Sequence, residues 1–385
     1  MKTKSLITAL LVSVTSFTLI ASASAKEPDK TPPPKETKKP LVQIAILLDT
    51  SSSMEGLIEQ AKSQLWKICN EFIKARQDGV APEVQVALYE YGKSSLAARS
   101  GWIRQIQPLT TDLDKISEEL FALRTNGGDE FCGWVIKDAV NELAWSPASD
   151  VYKVIFIAGN EPFTQGPVNY AESCKAAITK GIIVNTIHCG AEAEGINGRW
   201  KDGADLADGK FLVIDQNRAV VSIQAPQDKE IASLGVELNK TYLAFGTAGR
   251  AGETRQKMQD ANVATLAPAS GATVQRSLAK ASANYQNASW DLVDAARQKD
   301  FEVSKLKTED LPAEMQKMST DERKTFIEKN ARERTELQIK INQLNSEREK
   351  YVAQRMKEVT GTNTLDAVVI SAVREQSAKR NFRFE

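Results

Sequence analysis

Asp49, Ser51 and Ser53 stand at alternate positions in the stretch LVQIAILLDTSSSM, residues 41–54. Three oxygens at that spacing can converge on one point where a chain turns from a strand into a helix. A carboxylate and two hydroxyls make an oxygen-only donor set, which suits a hard divalent cation such as Mg²⁺, Ca²⁺ or Mn²⁺. The same residue types are ordinary turn and N-cap material, which shapes a loop by hydrogen bonds to backbone and binds no ion. Position separates the two readings. The apolar run before Asp49 has no polar alternation, the habit of a parallel strand buried on both faces, and open α/β sheets place their ligands at the C-terminal ends of such strands.

The elements that would position these oxygens follow along the chain. A helix is expected over 54–76, where Leu57, Ala61, Leu65, Ile68 and Phe72 recur at helical spacing. Strands are expected at 84–91 and 102–106, paired as a hairpin at a sheet edge, then helices over 113–123 and 130–144. A second buried strand, 152–158, stops at Gly159-Asn160-Glu161-Pro162; a helix over 168–179, a strand at 182–188 and a last strand at 211–214 complete the pattern. Strands alternating with helices at this rhythm give an α/β fold, a doubly wound and mostly parallel sheet with right-handed crossovers, over 41–215.

From 216 to 385 strand-like runs disappear and the chain reads as a helical C-terminal region, a hairpin or bundle. Helices are expected over 274–298, over 321–359 with Ser319 and Glu322 as a capping box, and over 364–378, with a loop around 264–271. The apolar positions of the longest are too irregular for a clean heptad, so a long parallel coiled coil is disfavoured.

Equal numbers of basic and acidic residues, 50 each, argue against a general nucleic-acid or anionic-membrane binder. The first 25 residues read as a secretory signal peptide: Lys2 and Lys4, an apolar segment, and a small-x-small close at Ala23 and Ala25. Residues 26–40 form a Pro/Lys-rich linker. The expectation is an exported protein, periplasmic or secreted, with no membrane span once the signal is cleaved. Export permits disulfides among Cys69, Cys132, Cys174 and Cys189, and the pair favoured is Cys174 with Cys189; the alternative is buried free thiols. Catalysis has little support. The single histidine, His188, ends a strand, no G-x-S-x-G elbow is present, and His188 and Cys189, adjacent in a strand, point to opposite faces.

The span 41–214 resembles a von Willebrand factor type A domain, whose metal-ion-dependent adhesion site begins with D-x-S-x-S after the first strand. The resemblance implies that Ser51 and Ser53 bind a metal directly and that Asp49 acts through water. Where the family commonly has a threonine in G-G-T, this chain has Gly127-Gly128-Asp129, so Asp129 takes that place, with Thr125 less favoured. Asn160 takes the place of the aspartate in T-D-G. The exchange keeps the carboxylate count level, and an amide oxygen is still a competent ligand. Glu130 and Glu161 either add charge to the site or serve as N-terminal helix residues. The expected function is metal-dependent protein–protein interaction, with a divalent cation held by Asp49, Ser51, Ser53, Asp129 and Asn160 and completed by a carboxylate of a protein partner. The alternatives are a scaffold acting through its C-terminal helices without metal and, less favoured, a hydrolytic enzyme.

Overall fold

The computed structural model describes residues 39–217, 222–356 and 365–384. The signal peptide and all but the end of the linker lie outside them. In chain order the elements are β1 (Leu41–Asp49), α1 (Glu55–Ile73), β2 (Ala75–Gln77), β3 (Glu83–Tyr91), β4 (Ile103–Thr110), α2 (Leu113–Ala122), α3 (Cys132–Glu142), β5 (Tyr152–Gly159), α4 (Tyr170–Thr179), β6 (Ile182–Cys189), α5 (Glu192–Asn197), α6 (Trp200–Asp205) and β7 (Phe211–Ile214). They continue with α7 (Asp228–Asn239), α8 (Gly246–Thr265), α9 (Ala272–Lys280), α10 (Leu292–Ala295), α11 (Thr320–Met356), α12 (Leu365–Ala378) and β8 (Phe382–Phe384).

Six strands form one sheet in the order β4-β3-β1-β5-β6-β7. β1 lies between β3 and β5, parallel to both, and only the edge strand β4 runs antiparallel, paired with β3. The order reverses at β1, so loops leaving β1 and β5 face a crevice at their C-terminal ends, the topological switch point of a doubly wound sheet. Alternate residues of each strand feed two separate cores. Val42, Ile44 and Leu48 pack under α1 and α2 with Trp66, Phe72, Ile116 and Leu120. Ala45 and Leu47 pack on the other face with Val135, Ile136, Ile155, Cys174 and Trp200.

β7 ends at Ile214, and the helical region that follows returns to the sheet. Leu365, Val369, Ala372 and Val373 of α12 bury their side chains in the α1 core, beside Tyr152, Val154, Phe156 and Ile187. Each large aliphatic side chain so buried contributes about 1.5–3 kcal/mol. α12 is thus the last helix covering that face, delivered from the far end of the chain, and Lys39–Glu385 is one compact unit. Between β7 and α12, α7 and α9 pack with Ile341 of α11 around Ile231, Leu238, Val274 and Leu278.

α9 meets the α/β part through a buried ion cluster. Arg276, 1% exposed, binds Asp114 of α2 and Asp260 of α8, the latter at 2.9 Å, and its guanidinium lies 4.3 Å from the Trp66 ring centroid. The Tyr285 hydroxyl donates to the other Asp114 oxygen at 2.6 Å.

Two expectations are corrected. The single helix over 274–298 is broken: α9 stops at Lys280 and only Leu292–Ala295 resumes helix. Ser, Asn and Asp side chains there bond to nearby backbone in competition with the helical ladder. The Asn287 N–H donates to Asp294 Oδ2 at 2.8 Å, and Asp291 Oδ2 accepts from the Asp294 N–H at 3.0 Å, capping α10. The Cys174–Cys189 pair does not form, and all four cysteines are free and buried. Cys174 belongs to the α3/α4 core and Cys189 to the α1 core, so the sheet separates the two thiols. Burial pushes the Cys69 and Cys174 thiols up to about 12, which keeps them protonated and unreactive.

Candidate functional site

Asp49 is the last residue of β1 and is fully buried. Its Oδ1 accepts the Ser51 N–H at 2.7 Å, an Asx-type turn that bends the chain out of the strand. That bend turns the serine hydroxyls inward: Ser51 Oγ and Ser53 Oγ are 3.0 Å apart, and Ser53 Oγ donates to Asn160 Oδ1 at 3.3 Å. Thr50 anchors the turn from behind through its N–H to the Tyr91 carbonyl, 2.8 Å, and its hydroxyl to Glu90 Oε2, 3.3 Å.

Two further loops close on this one. The loop between α2 and α3 is tied to it by the Asn126 N–H on the Thr50 carbonyl, 3.0 Å, and to the loop after β5 by the Glu130 N–H on Gln165 Oε1, 2.8 Å. Within it Asp129 is exposed, whereas Glu130 is only 6% exposed and its carboxyl lies beside Ser51 and Asp49. Thr125 is partly buried and Glu161, after β5, is half-buried and close enough to raise the pKa of Asp49. The structure therefore brings Asp49, Ser51, Ser53 and Asn160 together, sets Asp129 on the rim, and turns its neighbour Glu130 inward.

Backbone is pressed against the carboxylate on two sides. At Gly92, with φ +80°, a Cβ would fall 2.8 Å from Asp49 Oδ1 and 2.7 Å from Glu130 Cγ; at Gly159 it would fall 3.0 Å from Asp49 Oδ2. Neither glycine had a signal in the sequence, because each is demanded by a neighbour far along the chain.

The electrostatics are one-sided. Burial, opposed by hydrogen bonds from Ser51 and reinforced by Glu161, pushes the Asp49 carboxyl up to about 7. Burial together with Asp49 and Glu161 pushes Glu130 up to about 8. The nearby cations are engaged elsewhere: Arg104 and Lys93 both pair with Glu90, at 2.6 and 3.7 Å. Asp49 Oδ2 is buried without any hydrogen-bond partner. An orphaned carboxylate oxygen beside two hydroxyls and an amide oxygen fits a hard, oxygen-seeking cation, since burying such a group unpaired is costly. Among the described residues no group of three or more His, Cys, Asp or Glu is spaced to hold a metal, so any such site depends on hydroxyl and amide oxygens. His188 is not part of it. It is buried against Trp200 with neither ring nitrogen hydrogen-bonded, and burial lowers its pKa.

No protein-family model matches this chain, and no match is found among curated proteins. Solved structures are similar to it over less than half of its length. Proximal thread matrix protein 1 from the mussel byssus is 16% identical over 45% of this chain, with a TM-score of 0.34, and the chain spans only 41% of that protein. BatB from Bacteroides thetaiotaomicron is 18% identical over 45% of this chain and 90% of its own, with a TM-score of 0.35. The SpRpn10 VWA domain is 20% identical over 45% of this chain and 87% of its own, also at 0.35. The mostly parallel six-stranded sheet flanked by helices, followed by C-terminal helices, rests on the strand order and elements of this chain itself.

Proposed function

We propose that this chain is an exported protein-interaction module whose contact with its partner depends on a divalent cation. The observation that carries this reading is the buried Asp49 carboxylate, one oxygen unpartnered, at the switch point of the sheet beside Ser51, Ser53 and Asn160. Asp49, Ser51, Ser53 and Asn160 would hold the cation, with Mg²⁺, Ca²⁺ or Mn²⁺ the class that oxygen donors select. The bound ion would supply a positive charge in a crevice that now gathers only acidic groups. Asp129 on the rim and Glu130 inside are the two carboxylates available to complete the set. Ser53 is exposed, so the site opens to solvent on that side and a carboxylate of a protein partner can reach it. The interaction is then specific because the partner's charge completes the coordination.

Export rests on the basic, apolar and small-residue segments at the N-terminus, and among the described residues no helix is long and apolar enough to cross a membrane.

Calorimetric titration of Mg²⁺, Ca²⁺ and Mn²⁺ into the protein tests the reading, with Ser51→Ala as control. The expected result is saturable heat with at least one ion, lost in the variant. Heat with none of the three overturns it. Partner capture that survives EDTA and Asp49→Ala would point to the C-terminal helices as the interaction surface.

A further inference from the structure

At the opposite end of the sheet three cations surround one cleft of about 580 Å³, lined by Trp145, Ser146, Lys153, Lys180 and Arg380 among others. Lys153, the second residue of β5, is 6% exposed, and its Nζ donates to the carbonyls of Ser146, 2.9 Å, and Lys180, 2.6 Å. Lys180 Nζ donates to the Val140 carbonyl and to Asn141 Oδ1, both at 3.0 Å. Arg380, from the segment after α12, donates to the Ser149 carbonyl at 2.8 Å. Every one of these acceptors is neutral. Among the described residues none of the three cations forms an ion pair, and no carboxylate lines the cleft; Asp150, exposed, follows the lining residue Ser149 in sequence.

The bland explanation is that the lysines cap the C-terminal ends of α3 and α4. Each helix end supplies about half a negative charge, so two ends offset about one of the three positive charges and leave about two. Burial and the neighbouring Arg380 both act against the charged form of Lys153, which an anion in the cleft would relieve. The wall is held in place without a ligand. Gln43, 2% exposed on β1, accepts the Ser146 N–H at 2.8 Å, while its amide donates to Gln85 Oε1 at 2.9 Å and to the Ala144 carbonyl at 3.4 Å. Trp145 is fixed by its Nε1–H on the Ala139 carbonyl, 2.8 Å.

We propose that this cleft binds a doubly charged oxyanion of the phosphate type, held by Lys153, Lys180 and Arg380 with Trp145 as a flat wall. Guanidinium and ammonium donors around one pocket suit such a group. The proposal is independent of the metal reading, since the two sites share no residue.

The test is titration of inorganic phosphate into the full chain at constant ionic strength, followed by tryptophan fluorescence and calorimetry, with chloride as control. Saturable binding is expected, weakened about tenfold or more in Arg380→Gln and in Lys180→Gln. Both side chains lie at the surface or are only partly covered, so these variants keep the fold, which far-UV circular dichroism checks. A chloride response equal to that of phosphate, or unchanged phosphate binding in both variants, overturns the proposal. Sedimentation with phosphatidic acid vesicles distinguishes the source. Phosphate saturation with vesicle binding assigns a lipid headgroup, and phosphate saturation without it assigns a soluble ligand. Vesicle binding without phosphate saturation overturns the site in favour of diffuse surface attraction.

Discussion

Asp49 and Asp114 are both buried carboxylates, 0% and 4% exposed, yet the protein treats them in opposite ways. Asp114 receives the Arg276 guanidinium on one oxygen and the Tyr285 hydroxyl on the other. Asp49 receives the Ser51 N–H on Oδ1 and no hydrogen bond of ordinary geometry on Oδ2, and the Glu161 carboxylate adds to the cost of its burial. One carboxylate is finished by the chain and ties two parts of the fold together. The other is left for something the chain does not contain. Burial of a charge is therefore not itself the mark of a site; burial without a partner is.

Removing the cation that Asp114 has should have the largest effect. Arg276→Met leaves a buried carboxylate uncompensated and is expected to cost about 3–5 kcal/mol in urea denaturation. A loss under about 1 kcal/mol would erase the contrast. Supplying the cation that Asp49 lacks should act in the other direction. An ion at 100 times its Kd is expected to stabilise the protein by about 2.7 kcal/mol, and Asp49→Ala should show none of this while being no less stable in chelator.

A smaller effect separates the two neighbouring carboxylates. Glu130→Gln is expected to weaken ion binding about tenfold, or about 1.4 kcal/mol, and Asp129→Asn much less, because only Glu130 faces the buried oxygens. The reverse order in calorimetry would return the rim residue to the ligand set.

The smallest effect belongs to His188, whose ring nitrogens, like Asp49 Oδ2, are buried without a hydrogen-bond partner. Its folded-state pKa is lowered, so below about 6.5 the unfolded chain binds more protons and stability falls as pH falls. The slope is at most about 1.4 kcal/mol per pH unit for one proton. Asp49 and Glu130, raised to about 7 and about 8, act in the opposite sense over the same range, so the readout is the difference between two curves: His188→Phe should gain stability relative to the parent as pH falls from 7.5 to 5.5, and parallel curves would show that the ring is solvated.

The residues at the end of β1 were readable because their geometry is local. An apolar run fixes a buried strand, and a D-x-S-x-S string fixes a turn whose hydrogen bonds span two or three residues. Which of Asp129 and Glu130 turns inward was not readable. That choice depends on Gln165 holding the Glu130 N–H and on Gly92 leaving room for its side chain, contacts made across 35 and 38 positions. The break after Lys280 escaped for the same reason: Tyr285 leaves the helical path to reach Asp114, 171 residues away.

The sequence by itself determined the alternation of strands and helices up to residue 215, the antiparallel edge hairpin, and the oxygen-only character of the first loop. These follow from periodicities of two and 3.6 residues and from side chains that bond to their own backbone. Tertiary structure alone decided that α12 covers the sheet, that the sheet separates Cys174 from Cys189, and that Asp49 keeps an oxygen without a partner. Each of these depends on which surfaces meet once the sheet has its order, and no local pattern encodes which surfaces those are.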